Sequence, residues 1–389
     1  VGPDELSYIN AQAWKDISGQ GSGRPDMEKD RLSFGRPLKN MPSIFNADRV
    51  DHSRIRRTMA HAFSAVALRK QEPLIRDHVK LLIKCLKEHQ GDVVDMVSWY
   101  NFTTFDLFGD LAFGETFGCL TNSLYHPWVG MLIKSMKAGY FIIQSQKYPL
   151  FEKMLLYFIP ASLRRRRQEH LSLTQEKVEK RVAKQTDRPD FLSFILKHED
   201  STNSLSRPEL EINASTLIVA GSDTTATLLS GCTFYLLRHP HVMEKVIDEI
   251  RQSFETEEDI DITGVNKLKY MLAVLDEALR MYPPAPGNFH RVVPEEGAVV
   301  CDRYVPGGVS NPFLSSQLCQ DQMCIDDHLL SSQKYPFATM QHTAHRGTSI
   351  GQVHSSLSAF SANPALRTTR RKCFNHLAWD QGPVWGESQ

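Results

Sequence analysis

A surplus of charge is missing from this sequence. It has 45 Lys and Arg against 45 Asp and Glu over 389 residues. Such a balance gives no global attraction to nucleic acid or to an acidic partner. A disulfide framework is missing too. Seven cysteines, an odd number at irregular spacings with no CxxC pair, suit a reducing compartment. No secretory leader opens the chain, because VGPDELSYINAQAW has neither a basic start nor an apolar run. The absence of an initiator Met carries the expectation that the sequence begins inside a longer protein. No apolar run is clean enough for a membrane span. The nearest, INASTLIVAGSDTTATLLSGCTFYLL, has Asp223 at its centre among Ser, Thr and Gly. A central carboxylate is costly in lipid, so a long buried helix is expected there. Internal repeats are absent. The Gly-rich GQGSG at 19–23 follows no apolar strand, which makes it a loop and not a phosphate cradle.

What is present is helical periodicity. A chain this long can bury one large core or two to three ordinary domains. From 1 to 308 apolar residues recur at i, i+3 and i+4. Helices are predicted for RIRRTMAHAFSAVALRKQEPLIRDHVKLLIKCLKEH, QEKVEKRVAKQ, EINASTLIVAGSDTTATLLSGCTFYLLRHP, HVMEKVIDEIRQSF and LKYMLAVLDEALRMYPP. Pro283, Pro284 and Pro286 stop the last of them. Short strand signals come late, in FHRVVPEEGAVVCDRYVPGG. In YPLFEKMLLYFIPASLRRRR an apolar stretch leads straight into Arg164, Arg165, Arg166 and Arg167. Two readings stand for it: a loop resting on a membrane surface, or an amphipathic helix end with a solvated charge run. Composition changes after Gly308. From 309 to 389, 11 of 81 residues are Ser and one, Glu387, is Glu. No period is sustained there, which is odd for a domain and odd for a linker.

Two motifs carry chemistry. AGSDTT, Ala220 to Thr225, falls inside the long helix. Gly221 is a poor helix former, and Ser, Asp and Thr can bond backbone carbonyls and loosen the ladder. A locally widened helix beside a cavity would expose a carboxylate, Asp223, with a hydroxyl, Thr224. Such a pair can relay protons to a bound ligand. The alternative is a buried helix with small packing residues and satisfied hydroxyls. DEALR places Glu277 and Arg280 at i, i+3 on one helix face. Most such pairs are solvated and of small value. Here the helix is otherwise apolar, so a buried, networked pair is the competing reading.

Together the motifs are specific. AGxDTT, then some fifty residues on an E-x-x-R running into MYPPAP, then HRVVP and YVPGG, resemble the cytochrome P450 family. The resemblance runs from near residue 5 to 308. ELSYINAQAW, DHSRIRRTMAHAFS and WYNFTTFDLFGDLAFGETFG look like fungal microsomal members. The resemblance implies a mainly α fold with small β-sheets around a haem whose iron is held by a cysteine thiolate. It places Asp223 and Thr224 as the acid–alcohol pair for O₂ activation. Ala220 and Gly221 become the small residues that leave room for O₂. Glu277 and Arg280 become the structural pair behind the haem. His52, Arg56 and Arg291 fall where the family holds the haem propionates, although His52 also reads as a helix-surface histidine. An NADPH-dependent reductase, an apolar substrate from fungal secondary metabolism and the endoplasmic reticulum membrane are likewise implied.

The family pattern breaks after VPGG. Neither P-E-R-[FW] nor F-G-x-G-x-R-x-C-x-G occurs, and Cys319, Cys324 and Cys373 all lack the flanking Gly residues. The genetic code offers a test. Read from the third base of each codon, Trp379–Asp380 forces GGA and Trp385–Gly386 forces GGG, two glycines six codons apart. The codons between permit Pro, Arg, Ala, Cys and Met, with the Cys straddling Pro383 and Val384. The shifted tail can read M-L-Q-P-F-G-L-G-P-R-A-C-M-G. HSSLSAFS likewise permits F-I-P-E-R-F-L. The expectation is a partial P450 domain over 1–308 and an out-of-frame tail over 309–389, not natively folded and without the metal ligand. Val309-Ser310 can encode GTAAGT, a splice donor; a base error or true frameshift leaves the same trace. The chain is then a P450 monooxygenase by descent, inactive as written. The alternative is a non-catalytic pseudoenzyme or an apolar-ligand-binding helical protein.

Overall fold

A computed structural model describes residues 5–8, 10–19, 26–35, 41–158, 161–184, 188–197, 204–285 and 289–313. The first elements are α1 (Ala11–Ser18), β1 (Glu28–Lys29), α2 (Arg31–Phe34), α3 (Arg49–Ala60), α4 (Ala65–Glu88), α5 (Met96–Phe113) and α6 (Cys119–Asn122). Then come α7 (Pro127–Ser145), α8 (Pro149–Phe158), α9 (Ala161–Ala183), α10 (Phe191–Leu196), α11 (Arg207–Arg238) and α12 (Pro240–Ser253). The last are α13 (Ile262–Val265), α14 (Lys269–Met281), β2 (Phe289–Val292), β3 (Ala298–Val300), β4 (Arg303–Val305) and β5 (Ser310–Phe313). The expected mainly helical fold with small sheets is what these elements form.

Local chemistry sets the boundaries. The single helix predicted across RIRRTMAHAF…KEH is two helices, joined by a 3₁₀ turn at His61–Phe63. Ser64 makes the break: its hydroxyl accepts from the Ala67 amide at 3.2 Å and starts α4. Pro73 lies inside α4 without ending it. The apolar-basic stretch predicted as a loop or a helix end is helical on both sides, as α8 and the start of α9.

The described residues divide into two compact units, one within 1–82, 99–226 and 285–313, the other comprising 83–98 and 227–284. In the first, β1, β2 and β5 form an antiparallel sheet in the order β1-β2-β5. Its register sets Lys29 opposite Arg291 and Val292 opposite Ser310. Strands β3 and β4 form a hairpin whose turn residues, Cys301 and Asp302, have φ of 49° and 61°. Helix α5 is buried on most of its surface from Trp99 to Phe113. Asp106 on it is buried and accepts from the amides of Phe117, Cys119 and Leu120 at 3.1, 3.0 and 2.8 Å. One carboxylate thereby satisfies the backbone of the turn into α6. Arg181 and Asp190, both buried, form a bidentate pair that also caps α10 through the Ser193 amide.

The second unit has its own core. Cys232, Val242, Val246, Tyr270, Val274 and Ala278 pack together, from α11, α12 and α14. Glu249 of α12 accepts from the amides of Tyr270 and Met271, at 2.9 and 2.8 Å. It so satisfies orphan donors at the start of α14 and meets the positive end of its dipole. Helix α14 ends at Met281, two residues short of Pro283.

Strand β5 lies past the composition change at Gly308. Pairing with β2 needs backbone donors and acceptors and little from the side chains, so residues 309–313 belong to the fold. Residues 314–389 lie outside the described residues, with Cys319, Cys324, Cys373, Trp379 and Trp385. So do Pro286 and most of GQGSG.

Candidate functional site

The strongest feature of the first unit is a cationic cleft of about 610 Å³. Four basic side chains converge on it: Lys29 from β1, Arg291 from β2, and His52 and Arg56 from α3. Arg31 and Arg49 add further positive charge to its wall. Spacing i, i+4 puts His52 and Arg56 on one helix face. Asp48 fixes the start of α3 by accepting from the Asp51 amide at 3.0 Å. Arg54, two residues from each of them and so turned away, pairs with Glu209 of α11 and with Asp51. Those contacts hold the helix while His52 and Arg56 face the cleft. Trp14, Ile17, Phe34 and Phe45 supply apolar wall.

The electrostatics of this cleft are unusual. Burial and the neighbouring Arg291 push the Lys29 ammonium down to about 8. His52 is shifted down as well, by burial and then by Lys29, Arg56 and Arg291. Burial lowers Arg291, and its Nε is buried with no hydrogen-bond partner. Two carboxylates of the wall are occupied elsewhere, Asp26 with Arg49 and Asp48 as the helix cap. A third, Glu28, is exposed. Among the described residues, His52, Arg56 and Arg291 have no ion pair. A desolvated cluster of one sign is costly unless an anion joins it.

The sequence expectation joined His52, Arg56 and Arg291, and the fold does bring them together. It did not include Lys29. Nothing local marks that residue, since β1 is two residues long and gains its meaning only from pairing with β2.

Of the two readings of AGSDTT, the locally widened helix is not the one seen: α11 is α throughout Arg207–Arg238. The Thr224 hydroxyl donates to the Ala220 carbonyl, a bond made within the helix without opening it. Ser222 is buried and donates to the Thr104 carbonyl at 3.3 Å. Gly221 faces the Phe108 ring of α5, where a Cβ would come within 2.1 Å of a ring carbon. Ala220 is exposed, and Asp223 and Thr224 are partly exposed. Ala220 and Thr224, four residues apart, share a face; Asp223 points about 100° away. In the second unit Glu277 and Arg280 form a bidentate pair, with both contacts at 2.7 Å and both side chains 10 % exposed. The buried reading of that pair is the one realised.

The described cysteines are all free. Cys85, Cys119 and Cys232 are buried and Cys301 is half-buried. Burial raises all four thiols, Cys119 to about 11. None is a thiolate near neutral pH. Among the described residues no group of three or more His, Cys, Asp or Glu is placed to hold a metal ion.

Comparison with known proteins gives these features a family. The family model for cytochrome P450 matches residues 9–321. The cytochrome P450 monooxygenase astA of Talaromyces wortmannii is 74% identical over 307 residues, which is 79% of this chain and 62% of that protein. The trichothecene C-15 hydroxylase of Fusarium sporotrichioides is 42% identical over 312 residues, covering 79% of this chain and 63% of that one. The chain thus spans a little over three fifths of the length of these relatives. A solved cytochrome P450DA haem domain matches with a TM-score of 0.64 at 18% identity, over 82% of this chain and 67% of that one. At that identity the likeness carries the fold alone. The match to the family model extends over most of the sequence and takes in the cationic cleft, the AGSDTT helix and the Glu277–Arg280 pair, and the chain belongs to the cytochrome P450 family.

Proposed function

We propose that this chain derives from a haem-thiolate monooxygenase that hydroxylates an apolar small molecule, and that as written it lacks the group needed for that reaction. Family membership implies a haem. The observation that carries the reading is the cationic cleft. A haem presents two carboxylates, and Arg56 and Arg291 offer them charge-assisted hydrogen bonds. The orphaned Arg291 Nε is a donor waiting for such an acceptor. The carboxylate end of the group therefore fits.

The iron end does not. The thiolate motif is absent from this frame, and the described thiols are protonated. When bound through a thiolate, a haem supplies O₂ activation and oxygen insertion. In the intact parent, Asp223 and Thr224 would hold and pass protons toward that site, and Ala220 would keep its face open. Electrons would come from an NADPH-dependent reductase. The astA and trichothecene relatives are fungal proteins, which supports a secondary metabolite as substrate. The endoplasmic reticulum is the proposed location. Among the described residues no helix is long and apolar enough to cross a membrane, but α8 offers a surface contact. Leu150 and Tyr157 are 85% and 81% exposed, beside Phe151 and Met154. A second reading, a non-catalytic binder of apolar ligands, is favoured by the absence of the thiolate motif from this sequence.

The test is a carbon monoxide difference spectrum on two proteins. The chain as written gives no thiolate–haem band. The same gene with its frame restored downstream of strand β5 gives one. A normal band from the chain as written would overturn the frame argument. A transcript spanning codons 300 to 389 shows the frame directly.

A further inference from the structure

Lys29 and Arg291 stand directly opposite each other in the β1–β2 ladder. Like charges at opposed positions repel and weaken the strand pair. Neither is relieved by water alone, since both line the cleft and both are partly desolvated. Lys29 uses two of its three donors on the carbonyls of Ile44 and Phe45, at 3.1 and 2.9 Å. Those bonds aim its ammonium and leave a donor over. That turn is itself held, because Asn213 of α11 accepts from the Ile44 amide at 2.8 Å. Arg291 has its buried Nε without an acceptor. Two strands and a helix thus converge four basic groups on one space, with aromatic wall beside it from Trp14 and Phe34.

We propose that Lys29 is an anion-binding residue of this cleft, and that with Arg291 it lets the chain take a tetrapyrrole by its carboxylates alone, whether or not the ring carries a metal. The inference rests on reading the cleft as the carboxylate end of a haem site. It goes beyond that reading in making capture independent of iron. A carboxylate between Lys29 and Arg291 removes the cross-strand repulsion, so binding relieves a conflict built into the sheet. The apolar wall takes the ring, and nothing in that contact requires a central metal.

The experiment titrates the chain as written, at neutral pH, with metal-free protoporphyrin, with haem and with protoporphyrin dimethyl ester. Metal-free and iron forms bind within about threefold of each other, and the ester at least about tenfold more weakly. Lys29→Met weakens metal-free protoporphyrin by about tenfold, and Lys29→Arg restores most of it. Equal binding of acid and ester overturns the proposal, because apolar contact alone then suffices. So does a Lys29→Met protein that melts lower but binds as before, since Lys29 is then only a tie for the Ile44–Phe45 turn. Haem binding about a hundredfold tighter than the metal-free ring reveals an iron ligand and overturns iron independence. Failure of every porphyrin to bind overturns this inference, yet leaves the spectrum of the frame-restored protein to judge the proposed function separately.

Discussion

A single lysine shows how tertiary placement changes chemistry. In the sequence Lys29 is one of 45 basic residues. In the fold its ammonium titrates at about 8, because it is half-buried and faces Arg291. The unfolded chain returns it to the ordinary value near 10.5. Between these two values the unfolded state holds the proton and the folded state does not, so stability from this group rises with pH across that window. Below about 8 the full cost of the buried charge remains. The raised cysteines and Tyr8 act in the opposite sense at high pH, so the comparison must be with a variant. Urea unfolding of the native chain and Lys29→Met from pH 7 to 10.5 reads it. The native protein gains on the variant as pH rises; a constant difference contradicts the assignment. Arg56 and Arg291 are legible in the sequence, because motifs surround them. Lys29 is not, because its partner is 262 positions away in the chain.

Elements show a different balance. Helices α12 and α14 are readable from periodicity, and proline marks the end of α14. The break between α3 and α4 is hidden because the apolar pattern runs through it; a hydroxyl cap at Ser64 decides it. The β3–β4 hairpin carries a visible cost. Both turn residues, Cys301 and Asp302, have positive φ, a geometry that favours Asn-Gly. Replacing Cys301-Asp302 by Asn-Gly should stabilise the protein by about 1 kcal/mol. The Cys301 amide bond to Asp16, at 2.9 Å, uses the backbone and survives the change. A lower urea midpoint contradicts this account. Helix α8 carries a second prediction. Leu150→Glu with Tyr157→Glu should reduce binding to vesicles containing phosphatidylserine by about tenfold, since both apolar burial and surface charge oppose it. Co-sedimentation reads the effect, and unchanged binding removes α8 from the membrane contact.

At the scale of the whole molecule, ligand-induced stabilisation would separate the chain as written from the frame-restored protein proposed as its parent. Anything that binds the folded state alone raises apparent stability by mass action. In the chain as written, metal-free protoporphyrin and haem should raise the melting temperature equally. With the frame restored, haem should exceed the metal-free ring, because an iron–thiolate bond is added. Equal shifts in both proteins would show that the restored cysteine does not reach the metal. Differential scanning calorimetry on the two proteins decides it.

Helical class, family and the absence of the thiolate motif from this sequence are all written in the chain itself. These are properties of local period and of short motifs, and none requires a contact between distant residues. The i, i+3 spacing of Glu277 and Arg280 is written there too, because it is confined to one helix. Three things exist only in the folded arrangement. Helix α11 stays regular through Thr224 and packs Gly221 on Phe108, because the close approach of α5 sets what that position can hold. The Glu277–Arg280 pair is buried, which spacing alone cannot achieve. And Lys29 stands against Arg291, since strand register is a long-range choice and the repulsion it creates exists only once the sheet has formed.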